Sequence, residues 1–153
     1  MQPIIVLPGD GNEVTAFGDT ILFKVVGDHT ENNLSIGLAT TPPGNGPPLH
    51  VHLNDNEVFI MISGDIEVEV GGEWKKAPPE SVVFLPKGVP HRYRNAGETT
   101  SKHWVLVTPS GFENFFQQCS AVFAAGGAPD FAQIKAISAD HNVEILGPPP
   151  GAH

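Results

Sequence analysis

Basic residues are scarce in this chain: 8 Lys and Arg stand against 17 Asp and Glu, a formal charge of −9. A nucleic-acid ligand needs a basic surface to neutralise phosphate. None of these few cations forms a run, so nucleic acid is excluded as a partner. Anionic membrane surfaces are excluded on the same ground. Long apolar runs are lacking too, and nothing approaches the roughly 20 residues that cross a bilayer. Met1-Gln2-Pro3-Ile4 has no basic segment leading into an apolar one, so no signal peptide is expected there. Cysteine is limited to Cys119, which can close no internal disulfide. That fits a reducing compartment, and the expected location is the cytoplasm. Charged residues make up only 16% against 40% hydrophobic, which excludes wholesale disorder.

Turn formers are plentiful. The 17 Gly and 15 Pro punctuate short apolar runs, the pattern of an all-β domain with tight turns. A chain of 153 residues suits a single domain, 1–153, with a barrel core over about 20–108. The expected strands are Ile4–Leu7, Ile21–Val26, Leu34–Thr40, Leu49–His52, Glu57–Ile62, Ile66–Val70, Val82–Leu85, His91–Arg94 and His103–Val107. In Ile66-Glu67-Val68-Glu69-Val70 the apolar side chains share one face and the glutamates the other. Gly71-Gly72 reads as a hairpin turn into Glu73-Trp74.

The pattern changes over about 111–141. Phe112, Phe115, Phe116, Cys119, Val122 and Phe123 recur at helical spacing and predict a helix whose stripe is core, packed against the barrel's outer sheet. Gly126-Gly127 ends it. Pro129 opens a second helix with Phe131, Ile134 and Ile137 as its buried stripe and Asn142 as a left-handed cap. Val143–Leu146 adds one extended segment.

The chemistry lies in between. Alternate residues of a strand share a face, so His50 and His52 project together while Val51 points away. Asn54-Asp55-Asn56 supplies a turn that lets Glu57 open the next strand facing back. Phe59 and Met61 share its parity and are expected to line the same cavity, with Val58, Ile60 and Ile62 outward. His91 follows a Pro/Gly turn. Three imidazoles and one carboxylate form a mixed N/O set suited to one divalent ion among Fe, Mn, Ni, Co, Cu and Zn.

These spacings resemble the two motifs of the cupin superfamily. The first, G-x5-H-x-H-x4-E-x6-G, is met by Gly44, His50, His52, Glu57 and Gly64. The second, G-x5-P-x-G-x2-H-x3-N, is met by Pro86, Gly88, His91 and Asn95, with Glu80 in place of its leading glycine. Pro47-Pro48-Leu49-His50-Val51-His52, paired C-terminal helices and Val143-Glu144-Ile145-Leu146-Gly147-Pro148-Pro149 resemble the small quercetin 2,3-dioxygenase-like cupins. The resemblance implies an all-β jelly-roll (double-stranded β-helix) barrel with two short C-terminal helices. It also implies a metal held by His50, His52, Glu57 and His91, and a homodimer, for which outward Val58, Ile60 and Ile62 offer an apolar face.

The function so implied is oxidation of a flavonol or other enolic or aromatic small molecule by dioxygen, with Glu57 both ligand and catalytic base. Two alternatives stand beside it: a non-oxidative metal-dependent isomerase or lyase, and a small-molecule-binding module without catalysis. Phe59, Met61 and Tyr93 are the candidate substrate pocket, each equally readable as barrel filling. Arg92 and Arg94 are expected outward. His29 is read as a loop residue, His103 and His141 as ordinary polar positions, and His153 as a frayed end. Asp65, Glu67 and Glu69 read as a solvated face, and Cys119 as a buried, inert thiol.

Overall fold

The computed structural model describes residues 1–150, so the reading of His153 lies outside the described residues. Among the described residues, eleven strands and three helices follow one another. The strands are β1 Asn12–Ala16, β2 Asp19–Val25, β3 Ser35–Thr41, β4 His50–His52, β5 Asn56–Ser63, β6 Ile66–Val70, β7 Glu73–Ala77, β8 Val82–Leu85, β9 His91–Asn95, β10 Ser101–Thr108 and β11 Val143–Ile145. The helices are α1 Gly27–Thr30, α2 Phe112–Ala124 and α3 Phe131–Asp140. Two antiparallel sheets face each other as a jelly roll, in the orders β1-β2-β3-β10-β5-β8 and β11-β4-β9-β6-β7. No helix among the described residues is long and apolar enough to cross a membrane.

Alternation decides which side chains fill the space between the sheets. Val14, Ile21, Phe23, Phe59, Met61, Ile66, Val68, Val105 and Val107 are all buried there. The outward set on β5 and β8 is exposed instead, with Ile60, Ile62, Val82 and Phe84 on the surface. Gly71 and Gly72 have φ of 64° and 81°, the paired positive values of a two-residue hairpin turn between β6 and β7.

Several expectations need correcting. Ile4–Leu7 is no strand: Pro3 and Pro8 remove ladder donors, and β1 takes the edge beside β2. His29 sits in α1, not a loop, and its Nδ1 accepts from the Val26 N–H at 3.2 Å. Glu67 and Glu69 are not simply solvated. Arg94 donates to Glu67 at 2.6 Å and Arg92 to Glu69 at 2.5 Å, with both guanidinium groups over Trp74. Asp130 rather than Pro129 opens α3, accepting from the N–H groups of Ala132 and Gln133. Phe131, in the first turn, lies beyond the packed surface and is 55% exposed. Asn142 does adopt the left-handed conformation, with φ 56°.

Candidate metal centre

Three strands from both sheets deliver the expected residues to one point. β4 carries His50 and His52, β9 carries His91 directly opposite His50, and β5 brings Glu57 across from the other sheet. One ligand-type atom from each of the four lies within 4.8 Å of the others. The four side chains converge.

The hydrogen bonds around the rings fix which nitrogens point inward. Nδ1 of His50 donates to the Pro48 carbonyl at 2.8 Å, and Nδ1 of His91 donates to the Val89 carbonyl at 2.9 Å. A carbonyl only accepts, so Nδ1 of each ring carries a proton and Nε2 is the nitrogen turned inward. The prolines before each histidine set this geometry, because the Pro-rich turns place a free carbonyl two residues upstream. Nδ1 of His52 faces Asp55 Oδ2 at 3.5 Å, and its Nε2 faces Glu57 Oε2 at 3.6 Å. Nε2 of His91 lies 2.9 Å from the same Glu57 oxygen. Two lone pairs at that distance repel unless a proton or cation lies between them. The donor set is what a divalent ion needs, with imidazoles oriented from behind by carbonyls and a carboxylate.

The electrostatics agree. Burial lowers the His50 pKa to about 3, reinforced by the neighbouring His91 and His52. Burial alone would raise Glu57, but the hydrogen bond with His91 and the surrounding imidazoles outweigh it and hold the carboxyl at about 2. Burial opposes charge on His52 also, yet Asp55 and Glu57 together raise its pKa. Cys119 is fully buried on α2, its thiol pushed up to about 12 by burial, and takes no part.

His50 and Glu57 open onto a narrow cavity with about 40 Å³ of water-accessible space, continuous with solvent. Its wall includes Phe59 and Tyr93. Met61 shares the inward parity and is buried, but it packs in the core without reaching the wall. The Phe59 ring, bracketed by His91, Tyr93 and His103, fills the inward face ahead of it. Phe112, Phe115 and Phe116 of α2 form another side of the cavity. The helix therefore closes the space between the sheets and does not lie on the outside of one. Its aromatic stripe announces an apolar face, and periodicity is silent on what that face meets.

His103 is the other correction. It is fully buried, lines the cavity and packs edge-on against Tyr93 with ring centroids 4.8 Å apart. Its alternation with Val105 and Val107 was the available signal. Asp19, at the start of β2, also lines the cavity and accepts the Tyr93 hydroxyl at 2.6 Å. His141 caps α3 and rests near Phe115, as an ordinary polar residue can.

Residues 37–108 match the family model described as the cupin domain. That stretch is a cupin domain. Among curated relatives, an oxidoreductase of Arthrobotrys oligospora is 31% identical over 104 residues, covering 60% of this chain and 41% of that protein. Quercetin 2,3-dioxygenase of Bacillus subtilis is 25% identical over 99 residues, covering 65% of this chain and 29% of the enzyme. The chain spans less than two thirds of the length of the curated relatives it matches. A solved structure described as a predicted oxalate decarboxylase from Thermotoga maritima superposes with a TM-score of 0.65 at 16% identity, covering 69% of this chain and 99% of that one. That likeness shows the shared fold.

Proposed function

We propose that His50, His52, Glu57 and His91 hold one divalent transition-metal ion, and that this cupin is a quercetinase-like dioxygenase acting on flat enolic or phenolic molecules. One observation carries the choice of substrate. The cavity beside the cluster is walled by Phe17, Phe59, Phe112, Phe115 and Phe116, and among the described residues no Lys or Arg lines it. Phenylalanine rings recognise a planar apolar body. A sugar phosphate would call for a cluster of Lys or Arg side chains that this wall lacks. The likeness to quercetin 2,3-dioxygenase of Bacillus subtilis points the same way.

When bound, such an ion supplies Lewis-acid polarisation of an enolic oxygen and, where it is redox-active, an electron path to dioxygen. The chain's own residues do the rest. His52 and His91 stand behind the cluster, whereas His50 and Glu57 face the substrate space. Glu57 is the group placed to take the substrate's hydroxyl proton. With its pKa held near 2 it is a weak base, so the transfer requires the carboxylate to loosen from the imidazoles. The α2 rings shield the space from water and hold the substrate plane.

Oxygen uptake on a flavonol panel tests this reading, after anaerobic reconstitution with Fe(II), Mn(II), Co(II), Ni(II), Cu(II) or Zn(II). The expected result is metal-dependent uptake that disappears in His50→Ala. Turnover without oxygen consumption would replace the dioxygenase with an isomerase or lyase. Tight binding without product would leave a ligand-binding cupin.

A further inference from the structure

Three buried polar atoms of residues that line the same cavity have no hydrogen-bond partner among the described residues. They are Oδ1 of Asp19 and both ring nitrogens of His103. Asp19 is 2% exposed and His103 is fully buried, and both line the cavity wall. Tyr93 ties them together: its hydroxyl donates to Asp19 Oδ2 at 2.6 Å, and its ring packs against His103. Leaving such atoms unmatched in an apolar wall is costly, so their presence calls for a polar group arriving from the cavity.

We propose that Asp19 and His103, braced by Tyr93, form a second polar subsite that binds an aromatic hydroxyl on the end of the substrate remote from the His/Glu cluster. The chemistry of the atoms selects that ligand. Oδ1 of Asp19 accepts a hydrogen bond and repels anions. His103, kept neutral because burial lowers its pKa to about 4, offers one donor and one acceptor. A phenolic hydroxyl donates and accepts, and the phenylalanines around it take the ring that carries it. A sugar would bring more hydroxyls than this wall can satisfy.

Register gives the span. Val107 of β10 stands opposite Glu57, Val105 opposite Phe59, and His103 opposite Met61. Four residues of strand separate the Glu57 level from the His103 level, roughly 13 Å at about 3.3 Å per residue. The two polar ends are thus separated along the strands, with the Phe59 ring between them. The subsite thus deepens the dioxygenase reading, on which it rests for what happens at the other end.

Equilibrium dialysis of the full chain loaded with Zn(II), against naphthalene, 2-naphthol and 2-methoxynaphthalene, tests it. The wild type is expected to bind 2-naphthol about tenfold more tightly than the other two, the size of one well-made hydrogen bond. Asp19→Asn keeps the acceptor for Tyr93 and turns an amide donor to the cavity. It is expected to bring the preference over 2-methoxynaphthalene to about twofold or less. His103→Phe should weaken 2-naphthol while leaving naphthalene affinity within about twofold, which also shows that the variant is folded. His50→Ala should keep the preference. An unchanged preference in Asp19→Asn, or no saturable binding of 2-naphthol to the wild type, overturns the subsite. A preference lost only in His50→Ala places the hydroxyl on the His/Glu cluster, which overturns the subsite and favours the dioxygenase reading. Flavonol silence alongside the expected naphthol pattern defeats the dioxygenase reading alone.

Discussion

Asp19 shows how one buried side chain couples stability to pH. Burial raises its pKa from 3.8 to about 6, against the pull of the Tyr93 hydrogen bond. A folded-state pKa above the unfolded value favours the protonated form, so Asp19 contributes stability below about pH 4 that is lost as pH rises through about 6. Asp19→Asn removes the charge without removing the acceptor for Tyr93. Its stability relative to wild type should therefore improve by up to about 3 kcal/mol between pH 4 and pH 8, the free-energy equivalent of about two pKa units. Urea midpoints of both proteins at the two pH values measure it, and a gap that does not change with pH would contradict the assignment. Neither Asp19 nor His103 was legible as a site residue in the sequence. Asp19 lies between Gly18 and Thr20 and His103 between Lys102 and Trp104, and parity alone cannot say that both point into one cavity. His50, His52, Glu57 and His91 were legible because their spacing, two alternating positions, a turn and a Pro/Gly entry, encodes convergence directly.

At the scale of elements, the turn before β8 holds an unusual residue. Glu80 has φ 73°, so a non-glycine residue occupies the left-handed conformation at the place where the second cupin motif has glycine. The turn is anchored regardless: the Glu80 N–H donates to the Met61 carbonyl at 3.0 Å, and the Ser81 carbonyl accepts from the Met61 N–H at 2.9 Å. Glu80→Gly should raise stability by about 1 kcal/mol, since the exposed glutamate side chain does nothing to offset its backbone cost. Gly64→Ala should do the reverse, by about 2 kcal/mol or more. There φ is 90°, and a Cβ would sit 2.7 Å from the Ser101 Cα. Thermal melts of the two variants check both signs together. Most strands were readable from alternation bounded by Gly and Pro. The first was misplaced because Ile4–Leu7 has the composition of a strand and no free edge to pair with. The α2 stripe was readable as an apolar face, while its destination depended on how β1 and β2 curve under Phe17 and Phe23.

Across the whole molecule, the candidate centre exists only when the two sheets close on each other. Three of its members come from the five-stranded sheet and Glu57 from the six-stranded one. The helical segment after β10 then completes the cavity, and β11 returns to pair with β4 beside the histidines. Ligand set, apolar wall and closing helix are thus one cooperative unit, and each element's sequence makes sense only in the presence of the others. An ion gripped by both sheets would bind the folded chain alone and stabilise it by mass action.

The most direct test of the account is Co(II) binding to the full chain, in competition with a chromophoric chelator, for wild type, His50→Ala and His91→Ala. One ion per chain, with affinity at least about 100-fold weaker in each variant, is the predicted result. Equal affinity in all three proteins, or no stoichiometric binding by the wild type, would contradict it.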